Sequence, residues 1–131
     1  MVWSPNYSVG VNAFFRIVSE AAKLLSHETD YESWAWEIHH SAKKDAPSGT
    51  MLKLLDEMKH AGWQKHIDVA SNRAGAIAGT HEIGFDSQAD TITLRHTARS
   101  REGFALGAVK AAEWIKGKQG FYEFGDILFG K

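Results

Sequence analysis

Residues 31 to 60 leave this chain the fewest ways to fold. From Tyr31 to His40 aromatic and β-branched side chains dominate, which predicts a strand with Trp34, Trp36, Ile38 and His40 on one side and Ala35, Glu37 and His39 on the other. Large apolar groups on one side imply that this side packs against helices or a partner. Met51, Leu54, Leu55 and Met58 then follow helical spacing, which predicts a helix to about His60, closed near Gly62.

The stretch from Glu37 to Thr50 joins these elements and is dense in chemistry. Pro47-Ser48-Gly49-Thr50 is a helix start: Ser48 can cap, and the amides of Gly49, Thr50 and Met51 then point out of the first turn. Such a terminus attracts anions, either carboxylate or phosphate. Gly49 allows close approach to the backbone, and the Thr50 hydroxyl adds a donor. Lys43 and Lys44 bring fixed positive charge, while His39 and His40 titrate near neutrality. Strand neighbours face opposite sides, so the two histidines are expected to differ in role, one toward a ligand and one bracing the site. The mixture suits an anionic ligand that undergoes proton transfer.

The run His39-His40-Ser41-Ala42-Lys43-Lys44-Asp45-Ala46-Pro47-Ser48-Gly49-Thr50 resembles the signature of the 4-hydroxy-tetrahydrodipicolinate (dihydrodipicolinate) reductase family. Ser4-Pro5-Asn6-Tyr7-Ser8-Val9-Gly10-Val11-Asn12 is similar to the opening of that family's C-terminal domain, and Arg73 to His81 to its glycine-rich strand connection. Ser100-Arg101 with Phe104 to Ala108, and the final Gly120 to Leu128, complete a likeness covering nearly the whole chain. Departures flank the chemistry: Trp34 and Ala35 replace the usual acidic and β-branched residues, and Met51 the usual alanine.

The resemblance implies an oxidoreductase of lysine and diaminopimelate biosynthesis, cytoplasmic and homotetrameric, whose four sheets meet as a central barrel. It implies reduction of 4-hydroxy-tetrahydrodipicolinate to tetrahydrodipicolinate with NADPH or NADH. It also implies that the dicarboxylate substrate is bound by His40, Lys43, Ser48, Gly49 and Thr50, with His39 or Lys43 as the catalytic proton donor. Asp45 and Arg101 are expected in support. The N-terminal Rossmann domain is expected to be lacking here, because no strand, Gly-rich turn and helix precede residue 3 and Gly75 to Gly79 is too sparse for a dinucleotide fingerprint. The chain alone is therefore expected to be inactive as a reductase.

Elsewhere the pattern is regular. Val11, Phe14, Phe15, Val18, Ala21, Ala22 and Leu25 predict an amphipathic helix to about Ser26, preceded by Pro5 to fix the backbone and Asn6 or Ser8 to cap. Ile67 and Val69 hint at a short strand, and the glycine-rich connection is expected as a mobile loop or bulged strand. Thr80 to Asp86 and Thr91 to Thr97 alternate about a hairpin turn. A last helix holds Phe104, Ala108, Ala111, Ala112 and Ile115 and closes at Gly117. The tail from Gly120 to Lys131 is too apolar to hang free, and is expected exposed or re-paired. This order argues for one α+β domain over residues 1–131, a mixed four-stranded sheet with helices packed on one face.

Composition narrows the partners. With 44% hydrophobic and 24% charged residues the chain is an ordinary globular one, and a net charge of −1 argues against nucleic acid or a membrane surface as partner. The absence of cysteine removes disulfides, thiol nucleophiles and thiolate metal sites. No leader pattern or long apolar run is visible, which fits the cytoplasm. The five tryptophans serve either an interface or the core.

No metal is expected: His39 and His40 alternate across a strand, and a third ligand would have to come from His81 or His96. No Gly-x-Ser-x-Gly elbow surrounds Ser48, so a hydrolase nucleophile is poorly supported. Two readings remain from different classes, the substrate-binding and oligomerisation domain of the reductase and a non-catalytic oligomerisation module derived from it. Metal-dependent hydrolysis is a weaker third.

Overall fold

In the computed structural model, residues 1–4 and 6–130 are described; Pro5 and Lys131 lie outside the described residues. The elements in chain order are β1 (Val2–Trp3), α1 (Val9–Leu25), β2 (Glu32–His39), α2 (Gly49–His60), β3 (Ile67–Arg73), β4 (Thr80–Asp86), β5 (Thr91–Thr97), α3 (Glu102–Ile115), β6 (Tyr122–Glu123) and α4 (Phe124–Phe129).

Ser8 starts α1 by accepting the Val11 N–H on its side chain, while the Asn6 side chain accepts the N–H of Ser8. Helical spacing then buries Val11, Phe14, Phe15, Val18 and Ala22 along one stripe. Helix α2 starts on Ser48, buries Met51, Leu54 and Met58, and is followed by Gly62 at φ +115°. It is the crossover between β2 and β3, which pair in parallel, as a strand–helix–strand unit requires.

The four-stranded sheet runs β3-β2-β4-β5, parallel at β2–β3 and antiparallel elsewhere, so it is mixed as expected. The hairpin of β4 and β5 has the expected limits, closed by the Ser87 N–H donating to the Asp90 carbonyl at 2.8 Å. The glycine-rich stretch is a loop between β3 and β4, with Gly75 and Gly79 at positive φ.

Helices α1 and α2 cover one face of the sheet, where Ala35, Ile83 and Phe85 meet the helix stripes and the fully buried Trp63. The tryptophan side of β2 is not the one the helices cover. Trp34, Trp36 and Ile38 are half-buried on the opposite face, while Ser33, Ala35, Glu37 and His39 are buried beneath the helices. The reason is room: the small Ala35 lets a helix approach, whereas an indole on that side would hold it away. Trp34 instead lies flat over Gly84, where an added Cβ would fall 2.1 Å from the ring.

The apolar tail is re-paired rather than loose. Tyr122 and Glu123 pair in parallel with Val2 and Trp3, and Phe124 is fully buried, although Phe121 stays 79% exposed. Arg16 ties α4 to α1 through Asp126 at 3.1 Å. Among the described residues no helix is long and apolar enough to cross a membrane.

Candidate functional site

Strand register assembles the site before any loop contributes. Glu37 lies opposite Ser71 of β3 and His81 of β4, and His81 opposite His96 of β5, so one row of polar residues crosses the helix-covered face of the sheet. Buried polar groups need partners, and Glu37 has them. Its Oε2 accepts the N–H of Ser48 at 2.8 Å, the Ser71 hydroxyl at 2.8 Å and the Arg73 guanidinium at 3.4 Å. Its Oε1 lies 3.0 Å from His39 Nε2 and 3.5 Å from His81 Nε2. Burial alone would push this carboxyl up. One imidazole hydrogen bond from the His39–His81 pair, with those from Ser48 and Ser71, outweighs it and holds Glu37 well below the usual carboxylate range.

His39 shares that buried pocket. Burial first, then the neighbouring His81, push its pKa down from 6.5 to about 4 against the opposing pull of Glu37. Near neutral pH the ring is uncharged. His96, at the end of the row, is likewise lowered by burial and by His81, and its Nδ1 has no partner among the described residues. Both Gly79 and Gly10 make room for these rings: an added Cβ would fall 3.0 Å from His39 Cε1 and 3.1 Å from His96 Nε2.

The loop after β2 and the start of α2 complete the site. Ser48 is buried, its Oγ accepting the Met51 N–H at 3.2 Å and lying 3.2 Å from His81 Nε2. The amides of Gly49 and Thr50 form the open first turn, and a Cβ on Gly49 would meet no protein atom within 4 Å. Thr50 Oγ1 accepts from the Asn6 side chain at 3.3 Å, leaving its own proton to donate outward. Lys43 pairs with Asp45 at 3.1 Å, and that ammonium, first among the causes, lowers the Asp45 carboxyl below its ordinary value. Arg73 steadies the same loop by donating to the Asp45 carbonyl at 2.6 Å.

These groups border one cavity of about 500 Å³. His39, His40, Lys43, Asp45, Ser48, Gly49, Thr50 and Arg101 all line it, so every site residue expected from sequence is brought together. His40 lies one residue past β2, where strict alternation ends; it therefore reaches the same cavity as His39, with Arg101 Nη2 3.5 Å from its Nε2. Asn6, His81 and His96 also line the cavity. Glu37 was absent from the expected site. Its only sequence signal was the two-residue spacing that puts it on the side of His39. The metal reading also changes shape, since the donors that converge within 4.8 Å are those of Glu37, His39 and His81, without His40.

A profile described as "Dihydrodipicolinate reductase, C-terminus" matches residues 10–128. The chain belongs to this family. Relatives include the 4-hydroxy-tetrahydrodipicolinate reductases of Methanosarcina acetivorans, 46% identical over 97% of this chain and 53% of the relative, and of Christiangramia forsetii, 38% identical over 97% and 58%. The chain thus spans about half the length of the curated relatives it matches, the half described as the reductase C-terminus. In fold it resembles a dipicolinate-bound dihydrodipicolinate reductase from Paenisporosarcina sp. TG-14, with TM-score 0.75, 24% identity, and coverage of 96% of this chain and 54% of the other.

A reductase of this family implies a nicotinamide cofactor, and the described residues do not fit one. Their glycine-rich loop joins β3 to the strand β4, and no helix N-terminus follows it to receive a pyrophosphate.

Proposed function

We propose that this domain binds the dicarboxylate substrate of a 4-hydroxy-tetrahydrodipicolinate reductase and supplies the proton that accompanies reduction, in lysine and diaminopimelate biosynthesis. The observation that carries this is the convergence, in one cavity, of the Lys43 and Arg101 cations with the first turn of α2. One carboxylate sits on the Gly49 and Thr50 amides, with Lys43 close by; the second meets His40 and Arg101. Lys43 is the proton donor, because His39, uncharged at neutral pH, has no spare proton to give at low cost. NADPH or NADH serves the whole reductase and is not held by these residues. The dipicolinate named for the structural relative from Paenisporosarcina is a planar dicarboxylate of this class. The open tryptophan face is the surface on which copies assemble, as a homotetramer, since it presents Trp34, Trp36 and Ile38 half-buried with no helix above them.

Calorimetric titration with pyridine-2,6-dicarboxylate, with and without NADPH, tests the reading. Saturable binding unchanged by NADPH is expected, weakened tenfold or more by Lys43→Ala and by His40→Ala while assembly stays intact. No binding, or binding indifferent to both substitutions, would leave only the oligomerisation module.

A further inference from the structure

At the buried end of the site, Glu37, His39, His81 and Ser48 form one hydrogen-bond network beside the cavity. Glu37, fully buried and ionised, offers only acceptors, and its Oε2 is occupied by Ser48, Ser71 and Arg73. Ser48 Oγ accepts the Met51 N–H, so its own hydroxyl proton is free, and the acceptor beside it is His81 Nε2 at 3.2 Å. With Ser48 donating there, His81 Nε2 is the bare nitrogen of the pair. His39 Nε2 then faces two lone pairs, Glu37 Oε1 at 3.0 Å and His81 Nε2 at 3.3 Å, and must carry one. The reverse arrangement, with His81 donating to Glu37, uses the longer 3.5 Å contact and leaves the 3.0 Å contact between Glu37 Oε1 and His39 Nε2 with no proton in it.

We propose that Glu37 is a positioning residue: by accepting the Nε2–H of His39 it fixes that imidazole in one tautomer, so that His39 offers the cavity an acceptor at Nδ1. Such an arrangement suits a cyclic dicarboxylate carrying a hydroxyl or ring N–H, and in this respect the inference rests on reading the cavity as the dicarboxylate site. The ring edge holding Nδ1 and Cε1 is the one against Gly79, itself a cavity residue. The charged or titratable groups around the ring are Glu37 on its own strand, Arg73 on β3, His81 on β4 and Lys43 in the loop. Of these only Glu37 is an anion, and it is also the nearer acceptor, so the Nε2 proton goes to Glu37 ahead of the His81 lone pair. The same carboxylate accepts from Ser48 N–H, the cap residue of α2, so one group aligns both the acceptor and the anion-binding turn.

Long-range proton–nitrogen correlation spectra of the labelled chain at pH 7 decide it. His39 is expected as a single neutral tautomer, protonated at Nε2 and bare at Nδ1. A His39 protonated at Nδ1, or doubly protonated, would overturn the proposal. In Glu37→Gln the two tautomers are expected to mix, and the affinity for pyridine-2,6-dicarboxylate to fall about fivefold or more with Lys43 untouched. A single Nε2–H tautomer and unchanged affinity in that variant would equally overturn it. If Glu37→Gln does not fold, the wild-type spectra decide alone. An Nε2–H tautomer in a chain that takes up no dicarboxylate would support the Glu37–His39 assignment and instead defeat the functional reading of the cavity.

Discussion

The two faces of the four-stranded sheet invert the usual rule. Beneath the helices, the polar row from Ser71 through Glu37 and His81 to His96 is buried at its centre, in Glu37 and His81, while the opposite face carries Trp34, Trp36 and Ile38 half-exposed. The buried carboxylate in that row survives because it is answered by donors from β2, from β3 and from the start of α2. The open face survives by local cover: Trp36 donates to Asn72 at 2.7 Å, and Arg95 stacks over its ring while pairing with Glu82. The difference separates the two proposed roles: the polar row is the one read as holding a ligand site, and the open apolar face the one read as meeting other copies.

The comparison is broken most sharply by removing the carboxylate. Glu37→Ala leaves the Ser48 N–H and Arg73 without their anion and is expected to cost about 3 kcal/mol or more in urea unfolding. Trp36→Ala on the other face loses one exposed hydrogen bond and one stacked cation, about 1–2 kcal/mol. Equal losses would mean that the two faces do not differ in kind.

Acid is the next lever. His39 is held down to about 4 from 6.5, so the folded chain prefers the neutral ring and the unfolded chain binds more protons between those values. That contribution is complete above pH 6.5 and is lost as pH falls toward 4; the depressed Glu37 adds a further loss below its ordinary value of 4.5. Thermal melts at pH 7, 5.5 and 4.5 are expected to descend by several degrees, on the order expected for such a change in a domain of this size. His39→Gln should flatten the upper part of that descent, and a flat wild-type profile would contradict the buried row.

Two smaller effects sharpen the contrast. Trp36→Glu is expected to reduce the assembled state seen by light scattering without weakening dicarboxylate binding by more than about threefold, because the indole and the cavity lie on opposite faces. Smallest of all, Asp45→Asn frees Lys43 from an exposed pair and should tighten dicarboxylate binding by less than about fivefold, measured by calorimetry.

Much of this was legible in advance because the patterns concerned are local. The limits of β4 and β5, the helix stripes and the Ser48 cap follow from periodicity and turn chemistry that act over a few residues. Which side of β2 the helices would cover was not legible. Apolar size left helices or a partner open for the tryptophan side, and close packing of α1 and α2 selected the side with Ala35. Nor was the role of Glu37, whose partners Ser71, Arg73 and His81 lie in other strands.

By itself, then, the sequence determined the three longer helices, the β4–β5 hairpin, the family signature from His39 to Thr50, and the Ser48-capped turn, because each depends on neighbours along the chain. Only the tertiary structure decided that Glu37 would be buried, that His39 and His40 would border one cavity, and that Arg101 would reach it from 61 residues away. Those outcomes depend on strand register and helix docking, which bring together groups whose charges and hydrogen bonds have no meaning until water is excluded from between them.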